Sequence, residues 1–183
     1  YLIRRSDTGV VDVLMSSDMT SAGSALTMPT NYDQKRLIGW VRTNGSSNII
    51  AFIQSGNYFR LTGDIVSDVA DASITHETYE TATLTTPPLC LAQIYGNADN
   101  TTDTTGNGRL YIRTKDAADE VGSALVEMWL GLQQSGTFDR MSQAGEVLTD
   151  ANGQIEYACA ESAGSATVNI RLIGVDMLTR SNP

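Results

Sequence analysis

The single histidine, His76, lies in the polar run Ile74-Thr75-His76-Glu77-Thr78. A catalytic reading would pair it with Glu77 or a distant Asp as a general base. The polar setting reads instead as an exposed loop or edge position, and a lone His excludes the common multi-His metal sites. There is no G-x-S-x-G elbow and no S-x-x-K acylation motif. Neither a P-loop nor a G-x-G-x-x-G fingerprint occurs. Paired carboxylates for sugar hydrolysis are conceivable in any acidic chain, but no spacing singles out a pair. No residue is therefore assigned as catalytic, cofactor-binding or metal-ligating, and the chain reads as a binder or assembler, not an enzyme.

Four other groups have residue types that could carry chemistry or binding. Asn97, Asp99 and Asp103 fall in the stretch Gly96 to Gly108, and oxygen-rich loops can hold calcium. The spacing is not that of an EF-hand, and Asn, Asp and Gly serve turns equally well. Trp40 and Trp129, with Tyr32, Tyr58, Tyr95 and Tyr111, could stack on sugar rings, yet aromatics within β-runs are more often core or interface anchors. Cys90 and Cys159 match no zinc or redox spacing and lie in apolar stretches, which favours two buried free thiols. Asn44-Gly45-Ser46 and Asn100-Thr101-Thr102 match the glycosylation pattern, a short motif that assigns no function by itself.

These residues need elements to position them, and the pattern is that of strands. Val, Ile and Thr number 11, 12 and 21, and Gly 16. Branching at Cβ favours strands, and Gly and Asn punctuate them. Tyr1 to Arg5 and Val10 to Ser16 read as a hairpin around Asp7-Thr8-Gly9. A strand at Tyr1 with no Met before it leads to the expectation of further residues upstream. Ser17 to Thr30 reads as a long loop. Arg36 to Thr43 and Asn48 to Gln54 read as strands about the turn Asn44 to Ser47. The run Ile49 to Ile53, apolar on both faces, is placed centrally. Ser55-Gly56-Asn57 turns into Tyr58 to Leu61.

Further strands are expected at Ile65 to Val69, Leu89 to Tyr95 and Arg109 to Thr114, with Thr83 to Thr85 extended. Pro87-Pro88 is excluded from any central strand, because proline lacks the N–H donor. Asn97 to Gly108 is expected as a polar loop. Ala117 to Gln134 fits a helix face through Val121, Leu125, Met128, Trp129 and Leu132, and a strand through Val126, Met128, Leu130 and Leu132. The β-rich surroundings decide for a strand over Ala124 to Leu132. Asn152-Gly153 between Gly145 to Leu148 and Gln154 to Ala160 is a strong hairpin signal. Glu161 to Ser165 turns again, and Val168, Ile170 and Leu172 alternate into a last strand. The polar tail Thr179 to Pro183 is expected to be loose. About nine or ten strands predict an all-β, antiparallel, jelly-roll-like β-sandwich, with residues 1–183 as one domain.

Charge narrows the partners. The net charge is −9, with only two lysines, Lys35 and Lys115, and ten scattered arginines. Nucleic acid and anionic membrane surfaces demand clustered cations and are disfavoured. No apolar run reaches the roughly 18 residues of a membrane span, and no signal-peptide pattern is visible.

One ordered set of blocks carries a resemblance. It runs Pro29-Thr30-Asn31-Tyr32, then Lys35-Arg36-Leu37-Ile38-Gly39-Trp40-Val41, then Asn48-Ile49-Ile50-Ala51-Phe52-Ile53-Gln54-Ser55-Gly56-Asn57-Tyr58-Phe59. Later come Thr86-Pro87-Pro88, Gly153-Gln154-Ile155-Glu156-Tyr157 and Ile173-Gly174-Val175-Asp176. The set, spanning about residues 8 to 176, resembles bacteriophage tail-fibre and related virion structural proteins. Asn57 stands where Asp is commoner, and Trp40 where a small residue is commoner. The resemblance implies a virion module that assembles as a homo-oligomer, a trimer being favoured, with other virion proteins as partners and a host-surface glycan as a further partner. It implies a tail-fibre or receptor-binding role, with a capsid decoration or head-fibre protein as one alternative; apart from the resemblance, a polysaccharide-degrading or carbohydrate-binding domain is another. The resemblance brings no catalytic residues and no cofactors. The expected location is the virion, assembled in the bacterial host cytoplasm.

Overall fold

Strand formation is strongest where apolar side chains recur at every second residue. Val168, Ile170 and Leu172 sit in the strand Ala166–Asp176, and all three are fully buried. A computed structural model of the chain describes residues 1–16, 26–63, 67–74, 78–100, 108–117, 128–132, 139–160 and 166–177. Among these residues there are thirteen strands and no helix. They are β1 (Leu2–Arg4), β2 (Val11–Val13), β3 (Gln34–Arg36), β4 (Phe52–Ser55), β5 (Tyr58–Leu61), β6 (Ser67–Ile74) and β7 (Glu80–Thr83). Then follow β8 (Leu91–Asn100), β9 (Gly108–Thr114), β10 (Met128–Leu132), β11 (Asp139–Leu148), β12 (Gln154–Ala160) and β13 (Ala166–Asp176).

The strands form three sheets, and every pairing is antiparallel. A small sheet has the order β2-β1-β3, a second β10-β9-β12-β7, and the largest β11-β8-β13-β5-β4. β6 also pairs with β13. It lies end to end with β5 along one edge of that strand. Tyr58 to Arg60 face Asp176 to Gly174, and Ser67 to Ile74 face Arg171 to Ala166.

The two larger sheets pack face to face as an antiparallel β-sandwich. Ile94 of β8, Val147 of β11, Ile170 and Leu172 of β13, and Phe59 of β5 share one buried cluster with Leu110 and Ile112 of β9 and Ile155 of β12. Alternation makes this possible: Ala92, Ile94 and Ala98 turn inward from β8 while Gln93 and Tyr95 turn outward. β10 lies beside β11 and β6 beside β7, so the layers meet at both edges.

Several sequence expectations hold. The β1–β2 hairpin, the Gly56-Asn57 turn between β4 and β5, the exclusion of Pro87-Pro88 from strands and the long last strand are all present. The strand chosen over a helix appears over Met128–Leu132 as β10, and the rest of that expectation, at residues 124–127, lies outside the described residues. The described residues hold thirteen strands instead of nine or ten, and the strand expected over Arg36 to Thr43 is not among them: β3 ends at Arg36, and Thr43 makes only an isolated bridge to Ile49.

Three further expectations are corrected. The run Ile49 to Ile53 is not central. Only β4 within it is regular, at the edge of the largest sheet, and the flanks meet through a single bridge, Thr43 to Ile49. One face of the run enters the core through Ile50 and Phe52, and the other leaves Ile49 and Ile53 exposed. Next, the polar residues from Asn97 to Asn100 extend β8 instead of opening a loop, because β11 and β13 pair with it on both sides to its end. Finally, Asn152-Gly153 forms a turn but not a hairpin. β11 pairs with β8 and β12 with β7 and β9, so the turn carries the chain from one layer to the other. Asp150 Oδ1 accepts from the amides of Asn152 (2.8 Å) and Gln154 (2.7 Å), and Gly153 takes a φ of 72°. Expectations for residues 17–25, 161–165 and 178–183 lie outside the described residues.

Candidate interaction surface

The side chains that could do chemistry are dispersed or structurally engaged. His76, Glu77 and Asp103 lie outside the described residues. Asn97 is half-buried in β8, and Asp99 lies on the same strand facing Arg140 and Thr167 in register. No group of three or more His, Cys, Asp or Glu among the described residues could hold a metal ion. Trp40 is buried, edge-on to Phe59 with ring centroids 6.4 Å apart. Trp129 pairs with Tyr111 across β10 and β9. Tyr58 is half-buried and donates to Gln93 Oε1 at 2.6 Å, while Tyr32, Tyr95 and Tyr111 are half-buried. Cys90 is a buried free thiol whose pKa burial pushes up, so it is a poor nucleophile. Cys159 lies on β12.

Carboxylates are used as structural acceptors. Asp68 takes the guanidinium of buried Arg42 at 3.0 Å, and also the amide (3.1 Å) and hydroxyl (2.7 Å) of Thr85. Glu156 pairs with Arg113 at 2.8 Å, and that guanidinium stacks on the Tyr79 ring, 3.6 Å from its centre. Glu80 accepts from Tyr157 at 3.1 Å, and Glu146 accepts from Gln93 at 2.7 Å.

The distinctive surface is apolar and lies on the small sheet. Directly opposed residues of a sheet share a face. Leu2 faces Val13 and Arg36, and Arg4 faces Val11 and Gln34. One face therefore carries Leu2, Val11 and Val13 with Arg4, Arg36 and Gln34. Val11 is 53% exposed and Val13 61%. Val10, Met15, Leu37 and Ile38, adjoining these strands in sequence, are exposed as well. The opposite face carries Ile3, Asp12 and Lys35, and Ile3 is buried. Neither Ile3 nor buried Leu26 belongs to the core cluster of the sandwich.

Local polar contacts hold this sheet in shape. Asp33 accepts from the Ser6 amide at 2.9 Å and from the Ser6 hydroxyl, joining the β1–β2 turn to the approach of β3. The Ser6 hydroxyl and amide hold the Asp33 carboxyl below its ordinary range, and the Arg5 guanidinium, 2.7 Å away, does the same for Asp7. The hairpin was legible in the sequence, but its exposed face was not. The cue was Val11 and Val13 lying on one face, with Asp12 between them on the other.

No known protein-family model matches the chain, and no curated protein matches it.

Proposed function

We propose that this chain is a structural module of a bacteriophage virion, a tail-fibre or receptor-binding domain acting through oligomeric assembly and host-surface attachment and not through catalysis. The observation that carries the reading is the exposed apolar face of the small sheet beside a sandwich that has its own buried cluster. Exposed apolar clusters of this kind mark surfaces that meet other macromolecules. The ordered blocks from about residue 8 to 176 that resemble tail-fibre proteins point the same way.

The strand order adds support. β6-β13-β8-β11 facing β7-β12-β9-β10 is the order produced when an antiparallel ribbon wraps into a jelly roll, a winding used in viral capsid proteins and lectins. Fold alone does not assign a role; the case against catalysis rests on the lack of a nucleophile-and-base motif in the sequence and on described carboxylates engaged as structural acceptors. Its partners on this reading are other virion proteins, copies of itself in a trimer, and a glycan of the host surface. A net charge of −9 argues against nucleic acid.

Gold-labelled antibody on intact particles tests the assignment. Label at the tail tip is the expected result, and label over the shell would assign the capsid-decoration role instead. Particles that take no label would overturn the virion reading. Incubating purified protein with host polysaccharide should release no reducing ends. Steady release that stops on replacing one carboxylate would make it a depolymerase.

A further inference from the structure

The outward face of the largest sheet has a pattern of its own. β8 lies between β11 and β13, and directly opposed residues share a face. Half-buried Tyr95 of β8 faces Ala144 of β11 on one side and Arg171 of β13 on the other. Ala144 is exposed and adds no bulk. Arg171 is exposed too, and its Nε donates to the Ser67 hydroxyl at 3.2 Å, on the strand beyond. Tyr95 is the one ring of that row.

Two residues along β8 in either direction, about 7 Å away, stand Gln93 and Asn97. Asn97 opposes exposed Ser142 and half-buried Asn169. Gln93 is held from both sides. Its Oε1 accepts from the Tyr58 hydroxyl at 2.6 Å, and its Nε2 donates to Glu146 at 2.7 Å. These bonds orient the amide and leave its second N–H for a further acceptor. Gly174 opposes Gln93 on β13, where a Cβ would lie 3.1 Å from Gln93 Oε1 and 3.3 Å from the Tyr58 hydroxyl. The missing side chain keeps room for that bond.

This chemistry matches a sugar. A pyranose has an apolar C–H face and a rim of hydroxyls that both donate and accept. An aromatic ring offers surface to the first. Amide and hydroxyl side chains answer the second in both directions. Across β11, β8 and β13, the rows of Gln93, Tyr95 and Asn97 carry one cation, Arg171, and one carboxylate, Glu146. That balance favours an uncharged ligand. Pairing on both edges makes β8 a rigid support, which a preorganised site requires.

Resting on the host-attachment reading above, we propose that this strip, centred on Tyr95, binds a neutral oligosaccharide. One sugar ring stacks on Tyr95, and its hydroxyls and those of its neighbours bond to Gln93, Asn97 and Ser142. The strip belongs to the sandwich and not to the small sheet, so attachment and assembly use separate surfaces.

The isotopically labelled full chain, titrated with neutral gluco-, galacto- and manno-oligosaccharides and with polysaccharide extracted from the host surface, tests this by amide resonance shifts. Amides of residues 93–97, 142–146 and 167–171 should shift, and those of β1 to β3 should not. Tyr95→Ala should weaken binding about tenfold or more, the size of one lost ring contact, with an unchanged β-type circular-dichroism spectrum. Tyr95→Phe should keep most of the affinity. Shifts confined to other residues, or a Tyr95→Ala variant that binds as the wild type does, would overturn the site while leaving attachment in place. Binding confined to sialylated or phosphorylated glycans would do the same. If no sugar shifts any amide, the site falls, and adsorption of the purified protein to host cells separates the two readings. Adsorption would keep host attachment without this site, and its absence would remove both.

Discussion

Asp68 illustrates how a charge is kept inside this protein. Its carboxylate receives Arg42 and Thr85 together, tying the segment after Trp40 to β6 and to the turn after β7. Removing one side of a buried pair leaves the other desolvated, so Asp68→Ala should cost about 3–5 kcal/mol in urea unfolding. Replacing both residues with apolar ones of similar volume should cost much less. Thr149 is a neutral counterpart. Its hydroxyl accepts from the Cys90 amide at 3.2 Å and lies 3.3 Å from the Cys90 carbonyl. Thr149→Val should cost about 1–3 kcal/mol by stranding that amide, and Thr149→Ser should restore most of it.

Tyr157 gives the stability an alkaline limb. Burial, then the bond to Glu80, push its pKa from the ordinary 10.0 to about 12. Below pH 10 the phenol is protonated in both states and its contribution is complete. Between about pH 10 and 12 the unfolded chain loses its proton first, so stability falls as pH rises. Titration at 295 nm should show one phenol ionising last, and Tyr157→Phe should flatten the loss of urea midpoint over that window.

Among the elements, β13 is the most constrained. It pairs with β8 along its length and with β6 and β5 on its other edge. Its register with β8 shifts between Leu172 and Gly174, where a Cβ at 174 would lie 2.9 Å from the Phe59 carbonyl oxygen. Gly174→Ala should therefore cost about 1–3 kcal/mol through forced displacement of β5. Val13→Thr on β2 is the contrasting case, and in dilute, dissociated protein its unfolding should stay within about 0.5 kcal/mol of the wild type because the position is exposed on the single chain.

The same elements explain what could be read from the sequence. Val168, Ile170 and Leu172 alternate cleanly because both sides of β13 are paired and one face is core. β8 looked shorter than it is, since Asn97 and Asp99 are polar and Ala98 is small, so pairing by two neighbours carries it onward. Ile49 to Ile53 looked central because hydrophobicity does not state which residues receive a cover. The Asn152-Gly153 signal reported the turn faithfully, while the partners of β12 were decided by layers distant in sequence. The apolar face of the small sheet was hidden for a related reason: a hairpin's two faces look alike until one of them meets a core.

At the scale of the whole molecule, protection should follow the sheet order. Amides of β8 and β13, paired on both edges, should exchange hydrogen slowest, and those of β1 to β3 far faster. Mass-spectrometric exchange of the intact chain would read both. If the small sheet is covered by another copy, its exchange should slow as concentration rises and that of β8 should not.

The position of β13 in the largest sheet also has a consequence during synthesis. It comes thirteenth in chain order, yet it sits between strands made long before it. A ribosome must deliver residue 166 and beyond before β8 gains its second neighbour or β6 gains any partner within that sheet. Until then a nascent chain displays unpaired strand edges, which chaperones and proteases recognise. Chains arrested before that point should be degraded, so incomplete copies are culled before they accumulate.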